Sequence, residues 1–203
     1  MKAMPGTWIL IFLLLAIFVV EIATHTMGSE PALLKLGALP ANGQLHGEVW
    51  RFVTYAFLHL NWTHLLVNLG LLWWVGRIVE RRVGTGRFAM IYLVSILLSG
   101  ATIFIKYLTA PSEGAAIGAS GGVFGLLGAA LVLVYRYDMA AFGQDNGLRT
   151  GLWICLAIGL AISFLPGVSL AGHIGGLIAG VILGLIVTQR DDTAWLRIRP
   201  RSS

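Results

Sequence analysis

Long apolar stretches, separated by short polar or glycine-containing segments, dominate this chain. Six of them can be marked, at residues 7–23, 58–75, 88–108, 117–135, 151–165 and 168–188. A helix that crosses the bilayer needs about 17–25 apolar residues, because it rises about 1.5 Å per residue through a hydrocarbon core about 30 Å thick. Most of the stretches approach that length, although the fifth is short and ends before Pro166. The pattern predicts an all-α membrane protein with a bundle of six transmembrane helices.

The composition agrees with this prediction. Hydrophobic residues make up 57% of the chain and charged residues 11%, whereas a soluble domain carries about 25% charged residues. We expect residues 1–203 to form one membrane domain, with a core at about 48–188 and a charged tail at 189–203. The first stretch follows one basic residue and precedes no small-residue cleavage site, which favours a retained helix over a signal peptide.

The basic residues are distributed unevenly between the two sides of the predicted bundle. With the amino terminus in the cytoplasm, 11 of the 14 Lys and Arg residues fall inside and 3 outside, so the positive-inside rule predicts that both termini are cytoplasmic. A nucleic-acid partner is not expected, because it would need these groups clustered on one folded surface. The inside group comprises Lys2, Arg77, Arg81, Arg82, Arg87, Arg136, Arg149, Arg190, Arg197, Arg199 and Arg201, and the outside group Lys35, Arg51 and Lys106.

A few polar side chains interrupt the otherwise apolar segments. Ser120 lies near the start of the fourth stretch, His173 near the start of the sixth, and His59, His64 and Asn68 lie in the second. Polar groups in lipid are expensive and are usually functional. A hydroxyl, an imidazole and an amide are the groups that an acyl-transfer site requires.

Glycines accompany both Ser120 and His173. In the sixth stretch they recur every four residues and form a shallow stripe on one side of the helix, which allows another backbone to approach closely. Helix packing alone explains the glycines, and a lone membrane serine commonly bonds its own backbone. Two glycine faces in contact would, however, bring the hydroxyl within the roughly 2.6–3.2 Å that proton transfer to an imidazole requires. The glycines are Gly118, Gly121, Gly122, Gly125 and Gly128 in one helix and Gly172, Gly176, Gly180 and Gly184 in the other.

The polar residues of the second stretch have different expected roles. His64 and Asn68 are four residues apart and share a helix face, so the Asn68 amide is a candidate oxyanion donor. On one helix, His59 and His64 would be splayed by about 140°, and no carboxylate or thiol lies nearby to complete a metal site. No metal is therefore expected, and His59 is interpreted as bonding the outer loop. The single cysteine, Cys155, excludes an intrachain disulfide.

The longest predicted connection is the outer loop at residues 24–57, and its end is aromatic and apolar. Trp and Tyr favour the membrane interface, so Trp50 is either an interfacial belt residue or a functional one. Glu48 and Arg51 are three residues apart and would pair if this segment is helical. Residues 76–87 are predicted to form a cytoplasmic hairpin loop, and residues 165–168 an uncharged connection that contains Pro166.

Four motifs, taken together, resemble those of the rhomboid family of intramembrane serine proteases. They are Gly118-Ala119-Ser120-Gly121, His64-x-x-x-Asn68, Trp50-Arg51 and Gly172-His173-x-x-Gly176. They follow the family's order and fall on the matching helices, from about residue 48 to residue 184.

The resemblance implies a Ser–His dyad, with Ser120 as nucleophile and His173 as general base. It also implies an oxyanion hole formed by the Ser120 backbone N–H and the side chains of His64 and Asn68, and an aromatic ring, here Phe124, stacked on the base. Residues 165–171 would form a movable cap over the site, and the fifth helix a lateral gate. No cofactor is implied. The expected substrates are single-span transmembrane proteins with helix-weakening residues near the outer face, and the expected location is the bilayer of a bacterial inner membrane.

Two other functions remain open at this point. A catalytically inactive relative would bind or escort membrane helices, although such proteins usually lack the serine or the histidine. A small transporter would have inverted repeats and helices broken at mid-membrane, and neither pattern is present in the sequence.

Overall fold

The computed structural model describes residues 3–136 and 146–198, with side chains described only as far as residue 187 and, in the second range, only from residue 147. Within these residues the chain forms eight α-helices, one short 3-10 helix and one pair of two-residue strands. The helices are α1 (Pro5–Ala23), α2 (Glu30–Leu36), α3 (Arg51–Thr54), α4 (Trp62–Val83), α5 (Thr85–Thr109), α6 (Ser120–Arg136), α7 (Asn146–Ile162) and α8 (Leu170–Ile198). The strands β1 (Leu39–Pro40) and β2 (Ala115–Ala116) are antiparallel, and the 3-10 helix spans Tyr55–Phe57.

Each of the six apolar stretches corresponds to one long helix, which confirms the predicted helical bundle. Three helical segments among the described residues are long and apolar enough to cross a membrane, namely Pro5–Ala23, Thr85–Thr109 and Leu170–Val187. Helices α6 and α7 are apolar but shorter. The six-span topology with both termini in the cytoplasm stays a prediction. The strand pair is a small departure from the predicted all-α class.

The predicted cytoplasmic hairpin loop at residues 76–87 is wrong. Helix α4 continues through this region to Val83, and α5 begins at Thr85, so that Gly84 alone forms the turn with a φ of 83°. Good helix formers carry α4 past the apolar stretch, and the Glu80 side chain on this extension is buried rather than solvated. Its carboxylate accepts hydrogen bonds from the backbone N–H groups of Gly6 and Thr7, each at 2.7 Å. The polar residues of this segment predict a loop, but the contacts of Glu80 with Gly6 and Thr7 hold the segment in the helix.

The outer segment at residues 24–57 has more structure than a loop. It contains α2, β1, α3 and the 3-10 helix, and β1 pairs with β2. The predicted Glu48–Arg51 pair is confirmed, with 2.7 Å between the Arg51 Nη2 and Glu48 Oε2 atoms. Arg51 also donates to the carbonyls of Leu34 at 2.6 Å and Ala38 at 2.7 Å. This guanidinium therefore fastens α3 to the end of α2.

The predicted charged tail is partly helical, because α8 extends as far as Ile198. Only the backbone of Arg190 and Arg197 is described. Lys2, Arg199, Arg201 and the rest of the tail from residue 199 lie outside the described residues.

Helix α6 lies at the centre of the bundle, with its residues 121–131 all buried, and packs against α4, α5, α7 and α8. Its contact with α8 is especially close. A Cβ atom on Gly176 would clash with the carbonyl of Gly121, and one on Gly180 with the carbonyl of Gly125. Because only glycine permits this approach, the glycine faces decide how closely the first turns of α6 and α8 meet.

Candidate active site

Ser120 is the first residue of α6 and is half-buried. The turn before it depends on Gly118, whose φ of 119° is disfavoured for residues with a Cβ. The Gly118 N–H donates to the Tyr55 carbonyl at 2.9 Å, which ties this turn to the 3-10 helix. The backbone amides at the start of an α-helix have no partner within the helix. Ser120 thus lies at a helix N-terminus, beside amides that have no partner within α6.

His173 lies in the first turn of α8, and its ring meets Ser120 across the glycine contact. The His173 Nε2 atom is 2.8 Å from Ser120 Oγ, within the range needed for proton transfer. The histidine is 7% exposed. The structure therefore brings together the two residues, 53 positions apart in the chain, that the motifs single out.

The Phe124 ring stacks on the imidazole of His173. The ring centroids are 4.1 Å apart, and the planes are inclined by only 9°. On its other side, the Phe124 ring approaches α7, where a Cβ on Gly159 would lie 2.6 Å from Cζ. Phe124 therefore fills the space between α7 and the His173 ring and limits how that ring can rotate.

Sequence reasoning missed Ser163, which lies one residue beyond the end of α7. Its Oγ atom is 2.6 Å from His173 Nδ1 and 2.7 Å from the carbonyl oxygen of Gly159. The side chain is 4% exposed. A signal was available, since Ser163 is the only hydroxyl residue in the apolar stretch 151–165.

Thr102 on α5 was also missed. Its hydroxyl donates to the carbonyl of Ala171 at 2.8 Å and so holds the backbone two residues before His173. Helix α8 begins at Leu170. The last two residues of the cap predicted at 165–171 therefore belong to the helix, and the connection between α7 and α8 is 163–169.

The second apolar stretch contributes His64 and Asn68. The His64 ring lies against Gly118, where a Cβ would be 2.7 Å from its Cε1 atom. Asn68 is buried, and its amide donates to the backbone carbonyl of His64 at 2.9 Å. An amide carries two N–H donors, so one remains for another acceptor.

The predicted separation of His59 from His64 is wrong. Helix α4 begins at Trp62 with Asn61 as its N-cap, so His59 precedes the helix and the 140° estimate does not apply. The two rings are 5.0 Å apart in an edge-on arrangement. The His59 backbone N–H donates to Glu21 Oε1 at 2.9 Å, which ties this residue to α1. The predicted bond of its ring to the outer loop is not seen, because neither ring nitrogen has a hydrogen-bond partner among the described residues.

The described residues contain no group of three or more His, Cys, Asp or Glu side chains arranged to hold a metal ion.

Trp50 is 45% exposed and lies against the Arg51 guanidinium, 4.7 Å from ring centroid to Cζ. Arg51 fastens the outer segment, as described above. Gly176 and Gly180 affect the site indirectly, because they allow α8, which carries His173, to lie against α6.

Comparison with known proteins assigns this arrangement to a family. Residues 46–190, most of the chain, match the rhomboid domain. The chain belongs to the rhomboid family. It is therefore a helical integral membrane protein, which agrees with the bundle and its apolar helices.

Several rhomboid relatives are similar over much of this chain. Rhomboid protease GlpG of Klebsiella pneumoniae is 29% identical over 188 residues, which cover 92% of this chain and 64% of that protein. GlpG of Salmonella paratyphi A is 34% identical with the same coverage. RHOMBOID-like protein 5 of Arabidopsis thaliana is 33% identical over 168 residues, 83% of this chain and 53% of that protein. The chain spans slightly under two thirds of the length of these GlpG relatives.

Proposed function

We propose that this protein is an intramembrane serine endopeptidase that cleaves transmembrane segments of other membrane proteins. The observation that carries the proposal is the 2.8 Å contact between Ser120 Oγ and His173 Nε2, formed at a buried meeting point of α6 and α8. Membership of the rhomboid family, with relatives named rhomboid proteases, supports the same conclusion.

In the proposed acylation step, Ser120 Oγ attacks the scissile carbonyl carbon while His173 Nε2 takes the hydroxyl proton. The carbonyl oxygen acquires the negative charge of a tetrahedral intermediate. Collapse of this intermediate breaks the C–N bond, and the imidazolium donates its proton to the leaving amine. An acyl ester on Ser120 and a neutral His173 remain.

The oxyanion is proposed to bind at the N-terminus of α6. The Ser120 backbone N–H lies there, where unpaired amides and the helix dipole favour negative charge. The Asn68 amide has a second N–H beyond the one bonded within α4, and the His64 ring lies against Gly118 in the same turn. Donors held in place before reaction lower the barrier without reorganisation.

Deacylation requires water to attack the ester, with His173 acting as base once more. Because lipid excludes water, we propose that the site opens to the outer face of the membrane. A substrate helix hides its carbonyls in its own hydrogen bonds and must unwind before attack. Single-span substrates with Gly or Pro near the outer interface are therefore favoured.

The wider setting follows from the same proposal. We propose six spans with both termini in the cytoplasm, residues 165–169 as a cap, α7 as the lateral gate, and a bacterial inner membrane as the location. One membrane domain carries the proposed site, and no cofactor is proposed.

The direct test uses the purified protein in detergent and a fluorophosphonate probe that labels activated serines. We expect labelling of the wild-type protein and none of Ser120→Ala. In parallel, a panel of single-span substrates is incubated with the protein in liposomes, and the cut sites are determined by mass spectrometry. If the folded wild-type protein is neither labelled nor active, the alternative of an inactive relative that binds or escorts membrane helices is favoured.

A further inference from the structure

The imidazole of His173 contacts a serine hydroxyl at each of its two nitrogens. Nε2 lies 2.8 Å from Ser120 Oγ, and Nδ1 lies 2.6 Å from Ser163 Oγ. A neutral imidazole carries one N–H, and its other nitrogen is an acceptor. Because a base must present its lone pair to the nucleophile, the position of that one proton decides whether His173 can act on Ser120.

The hydrogen bonds of Ser163 determine where the proton lies. Its hydroxyl has one hydrogen, and its Oγ is 2.7 Å from the Gly159 carbonyl oxygen, which can only accept. If the hydroxyl donates to Gly159, the lone pairs of Oγ face Nδ1, and Nδ1 must carry the proton. Nε2 then has a free lone pair directed at the Ser120 hydroxyl.

The opposite tautomer is disfavoured by the same contacts. A proton on Nε2 would require Ser163 to donate to Nδ1, which would leave the Gly159 carbonyl with only the longer, 3.2 Å bond from the Ser163 backbone N–H. Ser163 is 4% exposed and His173 is 7% exposed, so water has little access to replace the lost partner. Loss of the short hydroxyl bond without a replacement is costly.

We propose that Ser163 is a positioning residue that holds the neutral His173 in the tautomer protonated at Nδ1. The same bond persists when Nε2 becomes protonated, because Nδ1–H still donates to Ser163 Oγ. Phe124 restrains the plane of the ring, and Ser163 selects which nitrogen faces Ser120. The catalytic consequence rests on the proposed function, whereas the tautomer itself does not.

The tautomer is measured by nitrogen NMR on the full chain with ¹⁵N-labelled histidine in detergent. Signals of His173 are assigned by their loss in His173→Ala. We expect the wild type to carry its proton on Nδ1, Ser163→Ala to show a mixture of tautomers, and Ser163→Thr to resemble the wild type. A wild-type proton on Nε2, or an unchanged tautomer in a folded Ser163→Ala protein, would overturn the inference.

Ser169→Ala is the matched control. Its hydroxyl accepts from the Gly172 N–H at 3.2 Å, in the same connection. We expect Ser169→Ala to weaken the start of α8 but to leave the His173 tautomer unchanged. If this control also shows a mixture of tautomers, the effect comes from a general destabilisation of the connection between α7 and α8, and the proposed role of Ser163 is overturned.

Kinetics on a cleaved substrate separate this inference from the proposed function. We expect Ser163→Ala to lower kcat roughly three- to tenfold, the effect of about one net hydrogen bond, with KM unchanged, and Ser163→Thr to restore kcat to within about twofold. A wild-type protein without activity would refute the proposed function and leave the NMR result valid. An active wild type with unchanged kcat and tautomer in Ser163→Ala would refute only the role of Ser163.

Discussion

Two polar clusters lie near the two ends of α4, in which residues 64 and 80 are separated by about 24 Å of helix rise. The two clusters use their polar groups in different ways. At the C-terminal end of α4, which the predicted topology makes the inner end, the carboxylate of Glu80 accepts from the N–H groups of Gly6 and Thr7 and from the hydroxyls of Thr7 and Thr85, at 2.7–2.8 Å. We call these four residues the inner carboxylate cluster. Near the N-terminal end of α4, which the same prediction makes the outer end, Ser120 and His173 bond each other at 2.8 Å, beside helix N-terminal amides that have no partner within their helix.

The Glu80 cluster is suited to stabilising the fold, whereas the Ser120–His173 site is suited to reaction. The inner carboxylate cluster caps the N-terminus of α1 with a neighbouring side chain, and both oxygens of Glu80 are satisfied by protein groups. Such a closed network stabilises the fold. The outer site keeps a half-buried hydroxyl and spare donors, which a substrate carbonyl can use. We therefore expect changes at the outer site to affect mainly rate, and changes at the inner cluster to affect mainly stability.

The largest expected effect concerns the Ser120–His173 pair. Ser120→Ala and His173→Ala are each expected to lower kcat for a transmembrane substrate by about 10⁴-fold or more, because the nucleophile or its base is lost. Thermal unfolding in detergent should change little. Full activity in either variant would remove the proposed function, and strong destabilisation would erase the contrast between the two clusters.

Asn68→Ala is expected to have the next largest effect on rate. Loss of one oxyanion donor costs about 2.7–4 kcal/mol, or about 10²- to 10³-fold in kcat. The measurement is a comparison of kcat and KM, in which a change confined to KM would assign Asn68 to substrate binding. Fluorophosphonate labelling should be slowed but still detectable.

Glu80→Ala is expected to lower the free energy of unfolding by roughly 2–5 kcal/mol, because four donors lose a buried acceptor. The folded fraction should retain its kcat, since the inner carboxylate cluster is remote from Ser120. Reversible unfolding in mixed detergents measures the first quantity, and active-site labelling normalises the second. Normal stability with lost activity would contradict the comparison.

Gly180→Ala tests how the outer site depends on helix packing. The added Cβ would clash with the Gly125 carbonyl, and overpacking of this kind costs about 1–3 kcal/mol. We expect both stability and kcat to fall, because α8 carries His173. Gly70→Ala is the control, since a Cβ there meets no atom within 4 Å. Equal effects of the two substitutions would argue against the close contact of α6 and α8 as the cause.

Much of the fold and part of the site were predictable from sequence. The apolar stretches predicted the positions of the six long helices, because a run of apolar side chains is stable in lipid whatever its neighbours are. The glycine spacing indicated the α6–α8 contact, and the motifs singled out Ser120 and His173. Helix ends were less predictable. Polar residues after position 76 suggested a loop, although α4 continues to Val83.

The class of protein, the order of its helices and the types of side chain available for chemistry all follow from the amino-acid sequence. Which of these side chains contact each other follows from the packing of the helices. Glu80 binds Thr7 across 73 positions, His59 approaches His64 because the helix begins after it, and Ser163 contacts Nδ1 of His173. Hydropathy and helical periodicity indicate whether a residue lies in a helix and whether its helix face contacts lipid or protein. Hydrogen-bond partners on other helices depend on where each helix ends and how closely two backbones pack.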